Sequence, residues 1–282
     1  TIDQFLGKVT HLQLQGQRLG PELGEALNQV PAASVVYAYD NLLTGLGGLQ
    51  NCRRLQMLYL QNNRLASMAG LEALANLRVL HLGHNRLSRI EGLDQCKQLE
   101  ELHVSNQRPQ GGMDVPLEFC PDSFASLAYS LRSLSAANNR LRDVGCLTML
   151  QQLHALDLSG NEFMQVGDLR EVLSGPILAK VELHGNPLAL SERKYRTSVV
   201  LLARAIEEID GRAVLPQERD FVRRLEDQKR RMQAQRHAHL QRMRDKSASP
   251  LSPPVATAMR SGGPGAPGHF SATQAMQDFV TA

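Results

Sequence analysis

The sequence predicts an α/β solenoid, and three observations predict it. One apolar template recurs along most of the 282 residues, its copies fall at a near-constant interval, and no copy is long enough to bury an apolar face alone.

The template is Leu-x-x-Leu-x-Leu-x-x-Asn-x-Leu. It is matched at Leu55, Leu58, Leu60, Asn63, Leu65 and at Leu77, Leu80, Leu82, Asn85, Leu87. It recurs at Leu131, Leu134, Ala136, Asn139, Leu141 and at Leu153, Leu156, Leu158, Asn161, Phe163. Looser copies run through Val9, Leu12, Leu14, Gln17, Leu19 and through Ala33, Val36, Ala38, Asn41, Leu43. Two more use Leu99, Leu102, Val104, Gln107 and Leu178, Val181, Leu183, Asn186, Leu188, giving eight units. The Asn positions are spaced 24, 22, 22, 22, 32, 22 and 25 residues apart, and three consecutive intervals of 22 exclude chance. Each unit supplies a short strand with inward Leu side chains, and neighbours stack to cover them. The expected fold is therefore a leucine-rich-repeat horseshoe over residues 1–190.

At the turn of each unit, an Asn amide can donate to and accept from backbone groups that leave the strand pairing. Gln17 and Gln107 keep the amide on a longer stem, so looser turns are expected there. Connectors such as Gly70 to Asn76 and Gly92 to Gln98 have room for one or two helical turns, on the convex side. Gly45-Leu46-Gly47-Gly48 sits in a connector and reads as a turn. Cys52 and Cys96 each lie eleven residues before their Asn63 or Gln107. That shared slot reads as a small buried side chain.

The 32-residue interval inserts about one loop near 108–125, centred on Gly111 to Pro116. After Asn186-Pro187 the pattern ends. Arg193 to Val214 reads as an amphipathic helix, part of a cap over 191–216 that closes the last apolar face. Residues 217–246 contain no Pro or Gly and read as a basic helix whose start docks through Phe221 and Leu225. Residues 247–282, with Ser249-Pro250, Ser252-Pro253-Pro254 and Gly262-Gly263-Pro264-Gly265, are expected to be disordered.

Charge is concentrated rather than abundant. The whole chain carries +3, whereas Gln217 to Lys246 alone holds ten basic and five acidic residues. Lys229-Arg230-Arg231 is the candidate contact for an acidic surface such as tubulin; the overall balance assigns no nucleic-acid partner. No apolar run approaches the roughly 18 residues that a membrane span needs. The four scattered cysteines read as reduced thiols of a cytosolic protein. The first residues, Thr1 to Gln4, form no signal peptide and lack an initiator Met, so upstream sequence is expected to be missing. There is no phosphate loop, no Gly-x-Ser-x-Gly elbow and no His-Glu-x-x-His helix, so neither enzyme activity nor a cofactor is assigned.

Residues between the inward Leu positions should face the concave side. The central column then reads Gln13, Tyr37, Tyr59, His81, His103, Ser135, Asp157 and Glu182, flanked by Tyr39, Met57, Gln61, His84 and Glu101. Three of the chain's five Tyr fall on this face, and Tyr favours protein contacts, so the column is the expected partner surface. His81 and His103 lie in register, near enough to share a metal. Zinc usually takes three protein ligands, and the third would have to be His84 or Glu101, so no metal is assigned.

Two segments carry a resemblance. Tyr59-Leu60-Gln61-Asn62-Asn63-Arg64-Leu65 resembles the leucine-rich-repeat regulators of protein phosphatase 1. Glu101 to Arg108, followed by the insertion and Ser126 to Leu131, is similar to their testis leucine-rich-repeat type. The likeness covers roughly residues 1–225. It implies a cytoplasmic protein at centrosomes, microtubules or cilia that binds the phosphatase catalytic subunit. The chain departs in having no exposed basic-Val-x-Phe docking peptide. The nearest, Lys180-Val181-Glu182-Leu183, ends in Leu and turns Val181 inward. Phosphatase binding would then have to use the concave face.

Overall fold

A computed structural model describes residues 6–247 except 22, 24–26, 28, 110–114 and 192–193. Twelve short strands form among the described residues. They are β1 (His11–Gln13), β2 (Val35–Tyr37), β3 (Met57–Tyr59), β4 (Val79–His81), β5 (Arg89–Ile90) and β6 (Glu101–His103). Then come β7 (Glu118–Phe119), β8 (Ser133–Ser135), β9 (Ala155–Asp157), β10 (Lys180–Glu182), β11 (Glu208–Ile209) and β12 (Arg212–Ala213). Ten of them make one sheet in the order β1-β2-β3-β4-β6-β8-β9-β10-β11-β12, parallel except for the last pair. All eight units of the template contribute a strand.

The register joins the predicted inward positions into one line. Leu12, Val36, Leu58, Leu80, Leu102, Leu134, Leu156, Val181 and Ile209 pair in succession. All but Leu12 are buried to within 2% of full burial. Short 3-10 segments such as Leu49–Asn51 and Gly145–Met149 connect the strands on the other side of this core. Cys52 and Cys96 fill their common slot at 0% exposure, each thiol donating to a carbonyl of the unit before it, Leu27 and Leu71 respectively. Burial pushes the Cys96 thiol up to about 12, which leaves it inert.

Two ladders hold the turns. In the first, Asn85 Nδ2 donates to Leu60 and Leu82 carbonyls at 3.0 and 2.8 Å while its Oδ1 accepts from Leu65 N–H at 3.1 Å. Asn41, Asn63, Asn161 and Asn186 repeat the pattern, while Asn139, whose equivalent donor position is Pro109, accepts from Gln107 N–H at 2.8 Å instead. Gln107 was expected to loosen its turn, yet it does not. Its Nε2 reaches Leu82 and Val104 carbonyls at 2.8 and 3.1 Å, and its Oε1 takes Leu87 N–H at 3.0 Å. The extra methylene folds back without losing a bond. In the second, the residue before each ladder amide takes a left-handed φ. These are Gly16, Asp40, Asn62, His84, Asn106, Asn138, Gly160 and Gly185, mostly types that tolerate that region.

Three further expectations are corrected. The cap is not one helix over Arg193 to Val214. A helix at Tyr195–Leu202 ends at Ala203, and the chain then adds β11 to the open edge of β10 and turns back through β12. An unpaired sheet edge would leave backbone groups unsatisfied, and β11 satisfies them. Asp210 takes over the ladder role, its Oδ1 accepting from Leu183 N–H at 2.7 Å and His184 N–H at 3.0 Å.

The next helix, Pro216–Ser247, does not dock through Phe221 and Leu225, which are 61% and 43% exposed. Val222 is the buried contact, and Glu218 and Arg219 supply the polar ones. Arg196 pairs with Glu218 through two N–H···O bonds of 2.8 and 3.0 Å. Arg219 donates to the carbonyls of Ala203, Arg204 and Ile206. Compact packing divides near Arg230, inside this helix.

The insertion is more than a loop. Its predicted centre, Gly111 to Pro116, lies largely outside the described residues, but regular structure resumes directly after it. Strand β7 pairs with β5 in a second small sheet, and the helix Pro121–Ser126 buries Phe124. The expected disordered tail also falls outside the described residues, from 248 onward.

Candidate functional site

The open face of the sheet, turned away from the core, carries the predicted column. Parallel register sets Gln13, Tyr37, Tyr59, His81, His103, Ser135, Asp157 and Glu182 side by side. Neighbouring strands sit about 4.8 Å apart, which is also a comfortable ring-stacking distance. The side chains use it. Tyr37 and Tyr59 stack with centroids 4.9 Å apart and planes 12° from parallel. Tyr59 meets His81 edge-on at 4.8 Å, and His81 lies against His103 at 4.1 Å. Four consecutive units thus contribute one continuous row of half-buried rings. Burial raises the Tyr59 hydroxyl above its usual value, with Tyr37 and Glu101 adding to it.

Glu101 ties the histidines together. Its Oε1 lies 2.9 Å from His81 Nε2 and 2.8 Å from His103 Nε2. On the far side of His81, Gln61 Nε2 lies 2.9 Å from Nδ1. His103 titrates below the ordinary histidine range, chiefly through burial and then through the neighbouring His81, with Glu101 opposing both. Beyond His103 the column turns polar. Ser105 and Ser135 hydroxyls are 2.8 Å apart, Ser135 donates to Asp157 Oδ2 at 2.9 Å, and Ser159 donates to Asp157 Oδ1 at 2.7 Å. At the last unit, Glu182 accepts from Gly211 N–H at 3.0 Å and lies 3.3 Å from His184 Nδ1.

Not every predicted residue joins this row. Tyr39 lies two residues beyond Tyr37 along the strand direction and is half-buried. His84 does not line the column. It holds the left-handed turn position at φ 57° beside Asn85, and its side chain is exposed. Sequence reasoning passed over Ser105 and Asp210, and placed Gln61 only as a flank of the column. The signal was present: Gln61 and Ser105 occupy the same slot, two residues after the column position. Lys229 and Arg230 lie on the C-terminal helix beside Glu226, at 3.9 and 3.5 Å, and Arg231 is exposed. No described helix is long and apolar enough to cross a membrane.

The comparisons with known proteins agree with this architecture. A family model described as "Leucine Rich repeats (2 copies)" matches residues 75–110, the stretch holding the third ladder Asn and Gln107. Residues of this chain are 39% identical over 79 positions to leucine-rich repeat-containing protein 56 of Homo sapiens. That stretch covers 28% of this chain and spans 14% of the relative's length. Among solved structures, an internalin C2 from Listeria monocytogenes superposes with a TM-score of 0.58 at 20% identity, covering 73% of this chain and 82% of that one. At that identity the likeness speaks for fold alone, and the fold it speaks for is the one built above from Asn ladders and paired Leu. The chain has the leucine-rich-repeat solenoid fold, and residues 75–110 match the repeat family itself.

Proposed function

We propose that this solenoid is a non-enzymatic protein-binding scaffold that grips its partner along the row Tyr37, Tyr59, His81 and His103. One observation carries the reading. Four consecutive repeats spend rings on a face that takes no part in the core, and aligned, half-buried aromatics are what a protein contact uses at its centre. The polar stretch Ser135, Asp157 and Glu182 would then form the wetter flank of the contact.

For the partner, we propose the catalytic subunit of protein phosphatase 1. The support is the resemblance of Tyr59 to Leu65 and of Glu101 to Arg108 to regulators of that enzyme. Because no basic-Val-x-Phe peptide is present, the row of rings has to provide the docking surface. The protein would act in the cytoplasm at a centrosome, microtubule or cilium. The test is capture of purified catalytic subunit by the full-length chain and by Tyr37→Ala with Tyr59→Ala. Capture should be lost in a folded double variant. Undiminished capture would remove the open face as the docking surface, and no capture by the wild type would remove the phosphatase.

A second reading has its own observation. The helix Pro216–Ser247 is exposed along almost all of its described length and holds ten basic against five acidic residues, a larger excess than the +3 of the whole chain. A structural microtubule- or axoneme-associated protein would use Lys229, Arg230 and Arg231 against acidic tubulin. Salt-sensitive co-sedimentation lost on neutralising those three would favour it.

A further inference from the structure

We propose that His81, His103 and Glu101 form a site for one divalent ion of the zinc class on the open face of the sheet. Two imidazole nitrogens and one carboxylate oxygen lie within 4.8 Å of one another. All three come from paired strands β4 and β6, so the backbone register, not a loop, sets their spacing. Two His and one Glu with a remaining open position is a donor set that zinc accepts, and imidazole suits zinc-class ions in general. The fourth position would face away from the core, open to water or to a side chain from a partner.

In the metal-free chain, one carboxylate oxygen accepts N–H from both His81 and His103, so each Nε2 carries a proton. An ion between them would take the Nε2 lone pairs, and each ring would only shift its proton to Nδ1. For His81 the protein already provides for that shift. Gln61 sits on Nδ1 with its amide nitrogen, while the other end of that amide, Oε1, is buried and accepts no hydrogen bond among the described residues. Turning the amide over puts Oε1 on Nδ1, where it accepts the displaced proton. A metal-bound His almost always has such an outer partner.

The other His–carboxylate cluster, Glu182, His184 and Asp210, is less free to bind. Asp210 Oδ1 is held by two backbone N–H groups and Glu182 Oε1 by a third.

The experiment titrates Zn2+ into the untagged full-length chain, by calorimetry and by the shift of its melting temperature, with chelator reversal. The expected result is one equivalent bound in the wild type and in His184→Gln. Binding should be lost in His103→Gln and in the nearly isosteric Glu101→Gln, whose folding the melting curve checks. Gln61→Leu should weaken binding about 10- to 100-fold, the usual effect of removing an outer partner. No binding by the wild type, undiminished binding in Glu101→Gln, or loss in His184→Gln alone would overturn the site.

Discussion

Tyr37 and Tyr59 stack nearly parallel across adjacent strands, their ring centroids 4.9 Å apart, on the face of the sheet opposite the Leu core. Removing both rings forfeits a stacked pair, worth about 0.5 to 1.5 kcal/mol. Tyr37→Ala with Tyr59→Ala should therefore lower the denaturation midpoint only slightly. A collapse of the midpoint would mean that the rings are structural and that lost capture says nothing about docking.

Leu80 makes the contrast. It is fully buried between Leu58 and Leu102, in the middle of the inward line. Leu80→Ala opens a cavity that stacked units cannot close and should cost about 2 to 5 kcal/mol. Chemical denaturation with an unchanged midpoint would contradict the register.

The ladder amides should be as critical as the leucines. Asn85→Ala leaves the Leu65 N–H without its partner in a buried turn and takes one of two amide donors from each of the Leu60 and Leu82 carbonyls, which keep Asn63 and Gln107. Each buried group left unpaired costs about 1 to 3 kcal/mol. Asn85→Gln should avoid part of this loss, since Gln107 makes the same set of bonds in its own turn. Equal melting of Asn85→Ala and Asn85→Gln would refute the equivalence.

The cap should respond to acid. Hydrogen bonding from Arg196 holds the Glu218 carboxyl below its ordinary range, against the opposing effect of burial. A carboxylate with a depressed folded-state pKa adds stability above its unfolded pKa and loses it as pH falls through the folded one. Wild type should lose cap stability through that acidic window, and Glu218→Gln, starting lower, should lose less. Parallel pH profiles by hydrogen exchange at Tyr195–Leu202 would count against it.

Co-sedimentation tests the cationic helix without truncation. A chain ending at Gln217 would also lose Glu218, Arg219 and Val222, which the cap needs, so the substitutions Lys229→Ala, Arg230→Ala and Arg231→Ala are preferable. Microtubule binding should fall at low salt and fade in both proteins as salt rises. Equal sedimentation at low salt would leave these cations without a role there.

By itself the sequence determined the repeat, the inward line and the column of rings. Each of them comes from period: strand side chains alternate, and a fixed interval puts equivalent residues side by side. It could not tell that Phe221 and Leu225 stay exposed while Val222 is buried, because a helix face is chosen by what it meets. Nor could it give the β11 addition, which answers an open sheet edge rather than a local preference. His84 and Glu101 were equal candidates to stand beside His81 and His103. Backbone conformation decided between them. The left-handed turn at His84 carries it off the column, whereas Glu101, one strand over, brings a single oxygen between two rings. Contacts between units depend on register and turn geometry together, and those exist only once the solenoid has stacked.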